Sequence, residues 1–239
     1  MFTYDGKLHE IAKTAATSIG DVVDKLMHID ASVHDEDGLK WFNWLYLEIT
    51  SAVRSALPGA FHNPGFLREL DVDFANLYFA ALRTNLEGAS CPACWRVLFD
   101  ARADVRLARV QFAIAGVNAH INHDLPEALV TTCRRLGLSQ AHGSDPYQDF
   151  TDLNPILDTQ ITAAEDELKI RLDAGALPSV DSIETHLAAW SVSAAREAAW
   201  TNGEVLGTLA AVAPLATRYL QMLDGLTEVV SKGLLTVPL

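Results

Sequence analysis

The sequence predicts an all-α protein, built as a single-domain multi-helix bundle over residues 1–239. Three observations predict it. Apolar residues return at three- and four-residue spacings along most of the chain, which is the period of a one-faced helix. Alternating strand patterns bounded by turn pairs are lacking, and so is any internal repeat of the roughly 20–50 residues that marks a solenoid. The chain has 239 residues, and at that size roughly 70–75% of the unfolded surface can be buried in one core.

Taken in order, residues 6–29 place Leu8, Ile11, Ala15, Ile19, Val22, Val23, Leu26 and Met27 on one face, which predicts a first amphipathic helix. The charged segment 30–38 is a loop. A second helix covers 39–57 and stops at Pro58-Gly59. Pro64 fits the start of a short helix, and a longer one begins at about 67 or 71 and ends before Gly88, with Asp71 read as its cap. Ser90 caps the next, whose period runs on past Arg109 into the apolar stretch "VQFAIAGV". A further helix spans 125–136 before Gly137. Residues 138–154, rich in turn formers, read as the most loop-like part of the chain. The remaining helices are expected over 155–174, 180–202 and 204–232.

Charge narrows the function. Acids number 31 against 18 Lys and Arg, a formal charge of −13, and no basic residues cluster into a face. Nucleic acid and anionic membranes are therefore not expected as partners, and a small molecule is. Three cysteines do not make a disulfide framework. Neither a signal peptide nor a membrane helix is read, so the expected location is the cytoplasm. "CPAC" sits at a helix start but lacks the surrounding βαβ pattern of a redox motif. The chain also lacks Glu-x-x-His pairs, Gly-rich phosphate loops and a Gly-x-Ser-x-Gly elbow.

The most informative stretch is "NAHINHDLPE", directly after the apolar run. On an α-helix it puts His120, His123, Asp124 and Glu127 on one stripe, and no solvated face precedes Glu127. Polar groups on such a helix must be buried and partnered. Pro126 deprives the carbonyl of Asn122 of its donor, which kinks the helix or opens a new one capped by Asp124. His-x-x-His-Asp matches three ligands of a divalent Zn, Fe or Mn ion with open positions for water or substrate. The same groups without metal form an acid/base pair oriented by Asp124, and a purely structural role is the third reading.

"FHNPGFLRELDVDFANLYFAAL", "CWRVLF", "QFAIAGVNAHINHDLPEALV" and "WSVSAAREAAW" resemble the signature blocks of a bacterial family of uncharacterised proteins. The resemblance covers roughly residues 41–200 and implies that these blocks meet in one site or core; it supplies no reaction. A thinner likeness, carried by His120, Asp124 and Pro126, is to zinc-dependent phospholipase C and related single-strand nucleases.

Other helices must complete a site. Asp73 is expected to point inward beside Asn76 and Leu77, and Glu48 follows Trp41, Trp44 and Leu45 along one side. Trp190, Ala194, Glu197 and Trp200 line up at spacings of four and three, which sets Glu197 between two indoles, with a salt bridge to Arg96 or Arg102 as the alternative to a catalytic role. The aromatic residues Trp41, Trp44, Phe74, Tyr78, Trp190 and Trp200 supply pocket walls. The expectation is a metal-dependent, hydrolase-like enzyme acting on a small, partly apolar molecule. His120, His123 and Asp124 would hold the metal, with Asp73, Glu197 and Glu48 as catalytic acids or bases. The alternatives are a metal-free acid/base enzyme of lyase or cyclase type and a non-catalytic binding protein.

Overall fold

The computed structural model describes residues 2–57, 59, 61–173 and 191–236, without the side chains of 164–173. Helices account for the order α1 Asp5–Ala12, α2 Ile19–Asp30, α3 Leu39–Ala56, α4 Pro64–Leu86, α5 Ala93–Ala101 and α6 Arg109–Ala119. A π-helical turn, His120–Asp124, leads directly into α7 Leu125–Leu136. Then come α8 Asp145–Asp152, α9 Asn154–Asp173, α10 Val192–Leu209 and α11 Ala213–Leu234. No strand occurs among the described residues. The run from α6 through α7 is the axis of the bundle: α3, α5 and α11 pack on α6, while α4 and α10 pack on α7.

Several boundaries differ from the expected ones, each for a local reason. The first helix is two, because Ser18 turns extended and accepts the Asp21 amide as a cap. The broken backbone is satisfied from α4, where Asn76 accepts the Ala16 amide at 2.7 Å and donates to the Ala16 carbonyl at 3.0 Å. The pieces expected at Pro64 and at 67 or 71 are one helix, α4, with Asn63 accepting the Phe66 amide as its cap. Asp71 is consequently an interior helix residue and caps nothing.

The run from Ser90 is interrupted between Ala101 and Arg109, where Arg102 turns inward onto Asp37, whose side chain is fully buried, and onto Asp5 at 3.1 Å. At the start of α5 the cap is Asp224 of α11, whose carboxylate accepts the amides of Ala93 and Cys94 at 2.9 Å each. That carboxylate takes the helix terminus, and burial raises the pKa of the Cys91 and Cys94 thiols, which is opposite to a redox pair. The loop-like stretch 138–154 holds α8, capped by Ser144. Its buried Asp149 ties down the turn before α4 by accepting the amides of His62 and Asn63 at 2.6 and 2.5 Å. Finally, α10 runs through Gly203, where a Cβ would come within 2.2 Å of Gln140, and the break expected there falls after Leu209. Of the helix expected over 180–202, residues 180–190 lie outside the described residues, and residues 192–202 fall in α10.

Among the described residues, no helix is long and apolar enough to cross a membrane. The outer face of α11 leaves Leu215, Met222, Leu226 and Val229 exposed.

Candidate active site

The site begins with the π turn. Pro126 has no amide hydrogen, and its ring would crowd the carbonyl of Asn122 in a regular α-helix. The chain widens by one residue instead, and the Leu125 amide donates to the carbonyl of His120. Asp124 stays helical and makes no cap, so the helix neither breaks nor restarts at Pro126. The consequence is local: side chains at 120, 123 and 124 no longer follow α-helical spacing.

Those three side chains bond to each other. Asp124, 1% exposed, accepts His120 Nδ1 on one oxygen at 2.8 Å and His123 Nδ1 on the other at 2.7 Å. Trp95 of α5 adds its indole N–H at 2.9 Å. Burial opposes ionisation of Asp124, but the hydrogen bonds from both histidines outweigh it and hold its pKa below the usual carboxylate range. The two imidazoles diverge. Burial holds the pKa of His120 below the usual value in spite of Asp124. For His123 burial also opposes the charge, but Asp124, Asp224 and Glu127 raise its pKa. The shifts are opposite: His123 is pushed toward the imidazolium form that pairs with Asp124, and His120 beside it toward the neutral ring. The hydrogen bond to Asp124 fixes that neutral ring as the Nδ1–H tautomer, which leaves Nε2 as an acceptor.

His120 is held in an aromatic box. Its ring stacks on Phe74 with centroids 3.5 Å apart and planes 7° apart, and Tyr46 meets it edge-on at 4.6 Å. Phe42 and Trp95 close two other sides at 5.8 and 5.9 Å. Gly116 permits this arrangement, since a Cβ there would lie 2.3 Å from the Phe42 ring. His120 Nε2 is buried and has no hydrogen-bond partner among the described residues.

That residue forms part of the wall of a cavity of ≈ 90 Å³ between α3, α4, α6, α9 and α10. Roughly 10–15 Å³ of such space holds a water, so there is room for several waters or one small molecule. Most of the wall is aliphatic or aromatic, including Phe42, Val53, Leu70, Phe74, Val117 and Leu157. Into this apolar wall are set Tyr46, Thr50, Asp71 and Arg196. Tyr46 Oη and Thr50 Oγ1 are close enough to influence one another but lie outside hydrogen-bond geometry with any described group. Asp71 Oδ2 is likewise buried and unpartnered, and burial raises its pKa to about 7. With no cation beside it among the described residues, Asp71 is a carboxylic acid up to about pH 7.

The expected catalytic acids lie elsewhere. Asp73 faces α7, where it accepts Thr132 Oγ1 and Arg135 Nη2 at 2.6 Å each. Glu48 is exposed, although Trp41, Trp44 and Leu45 before it are buried. Glu197 is 45% exposed and bonds His142 at 2.9 Å and Tyr147 at 3.1 Å, with neither Arg96 nor Arg102 as partner. None of the three lines the cavity. His120 does; His123 and Asp124 support it from behind. Trp190 lies outside the described residues, whereas Trp200 is fully buried under Tyr147 and Phe150. Among the described residues no group of three His, Cys, Asp or Glu is arranged to hold a metal ion.

Sequence reasoning missed Asp71, Tyr46, Thr50, Trp95 and Arg196. The signal for Asp71 was present in the Asn63-Pro64 cap, which starts α4 early enough to turn Asp71 inward. The others depend on which helices become neighbours.

No curated protein and no solved structure matches the chain. The four sequence blocks nevertheless converge: α4 supplies Asp71 and Phe74, α5 Trp95, the π turn His120 and Asp124, and α10 Arg196. All of these residues fall within 19–237, the span that one family model matches, and the chain belongs to that family of unknown function, DUF5995.

Proposed function

We propose that the protein is an acid/base enzyme that binds a small, largely apolar molecule in the cavity under the π turn and moves protons on it. One observation carries the reading. His120 is buried and neutral, held at Nδ1 by an ionised carboxylate, and its Nε2, on the wall of a cavity, has no partner among the described residues. A base oriented by a buried carboxylate is an arrangement that suits general-base catalysis. Asp71 is the complementary acid, a carboxyl kept protonated by an apolar setting so that it donates a hydrogen bond.

In the step this favours, His120 Nε2 takes a proton from carbon next to a carbonyl, the C–H electron pair forms a carbon–carbon double bond, and the carbonyl π pair moves onto its oxygen. The carbonyl oxygen takes the proton of Asp71. Return of the two protons restores the enzyme, so no oxidant or cofactor is consumed. Metal-assisted hydrolysis by a His120, His123 and Asp124 triad finds less support, because both Asp124 oxygens and both Nδ1 atoms are engaged with each other.

The test is exchange of solvent deuterium into a panel of small ketones and short-chain carboxylic acids, followed by proton NMR. Wild-type protein is expected to exchange at least one of them, and His120→Gln, checked for folding by circular dichroism, to be slower by on the order of 10²–10⁴. Binding without exchange would reduce the site to a ligand pocket and overturn the enzymatic reading.

A further inference from the structure

Arg196 is a charged group on the cavity wall that the proton-transfer reading does not use. It projects from α10, is 8% exposed, and lines the same cavity as His120. Its Nε donates to Asn154 Oδ1 at 2.8 Å and its Nη2 to the Phe150 carbonyl at 2.6 Å, while the guanidinium lies 3.8 Å over the Phe150 ring. Every one of these contacts is neutral. Arg196 forms no ion pair among the described residues. Asp158, the acid whose field reaches it, is exposed on α9 and engages Ser193. Burial lowers the pKa of Arg196 to about 9, and it stays charged at neutral pH.

A buried cation without a counter-ion is costly, and proteins meet that cost with a carboxylate or with a bound anion. The fixed positions of Nε and Nη2 hold the planar group in one orientation, which suits the fork geometry of a carboxylate. The other residues that α9, α10 and the turn before α9 contribute to the cavity wall are aliphatic: Leu153, Leu157, Ile161 and Val192. A multiply charged anion such as a phosphate ester would leave charge unmatched against these side chains. One negative charge on an apolar body is what the wall complements.

We infer that the ligand is a small monocarboxylic acid with an otherwise apolar chain, its carboxylate seated on Arg196 and a carbonyl further along the chain reaching toward His120 and Asp71. This deepens the proton-transfer reading and rests on it for the direction in which the molecule lies. Arg196 is on this account a specificity-determining residue.

The test measures binding of hexanoate, hexan-1-ol and hexylamine to the full chain by titration calorimetry. Hexanoate is expected to bind at least tenfold tighter than hexan-1-ol, with hexylamine weakest. In Arg196→Gln, hexanoate is expected to lose that advantage while hexan-1-ol is held as before. The comparison among ligands on wild-type protein stands even if the variant fails to fold, because Arg196 also anchors Asn154 and Phe150. Equal binding, tighter hexan-1-ol, or no binding of hexanoate would overturn the assignment of Arg196. Deuterium exchange that still depends on His120 would leave the proton-transfer reading in place under any of those results.

Discussion

Asp71→Asn should make the protein more stable at pH 8 and leave it unchanged near pH 4. In the folded protein, burial raises the Asp71 pKa to about 7, whereas in the unfolded chain it returns to its ordinary value near 4. Below the unfolded value both states carry the proton and the group is neutral to folding. As pH rises, the unfolded chain ionises first, so folding is progressively penalised until the folded pKa is passed. The gap of about three pH units corresponds to roughly 4 kcal/mol at ~1.4 kcal/mol per tenfold, and water reaching the partly exposed side chain reduces it to on the order of 2–4 kcal/mol. Asparagine has nearly the same shape and no charge to bury. Urea unfolding of both proteins at pH 4, 5, 6.5 and 8 measures the difference directly. Asparagine should be the more stable by that amount at pH 8, with the gap closing toward pH 4. A difference independent of pH, or a wild type more stable at pH 8, would refute the argument that Asp71 is buried without a partner.

Other substitutions address the frame around His120. Trp95→Phe keeps the packing but removes the indole donor to Asp124, a hydrogen bond to a buried charge; chemical unfolding should show a loss of about 1.5–3 kcal/mol. Gly116→Ala drives a methyl to 2.3 Å from Phe42 and should cost about 1–3 kcal/mol. Gly225→Ala, with nothing within 4 Å, should instead be neutral or gain up to ~1 kcal/mol, and thermal melts of the two compare them. Protein purified without a histidine tag should carry no Zn, Fe or Mn that depends on His123. Stoichiometric metal lost in His123→Ala would restore the metal triad.

The fold class was legible because the helical period persists through nearly every apolar residue. Helix ends were less so, since several are set by distant partners: Asn76 holds the gap before α2, Asp224 caps α5, and Arg102 leaves its helix to reach Asp37. The site was legible in part. A helix with no solvated face showed that His120, His123 and Asp124 are buried, and they are. Their aim was not legible, because the spacing argument assumes an α pitch and Pro126 forces a π turn. Asp71, not Asp73, lines the cavity for a similar reason: the expected helix start at about 71 made Asp71 a cap, whereas Asn63 and Pro64 start α4 earlier. Arg196 looked like an ordinary member of "SAAREAAW", and only the packing of α10 on α7 and α9 places it in the cavity wall.

Nitrogen NMR of selectively labelled histidine tests the central claim most directly. At pH 7 the account predicts that the His120 ring is neutral, with the proton on Nδ1 and an unprotonated Nε2 whose resonance moves when hexanoate is added, and that it gains a proton only at a pH below the usual histidine value. A His120 ring that is an imidazolium at pH 7, or one that carries its proton on Nε2, would contradict it.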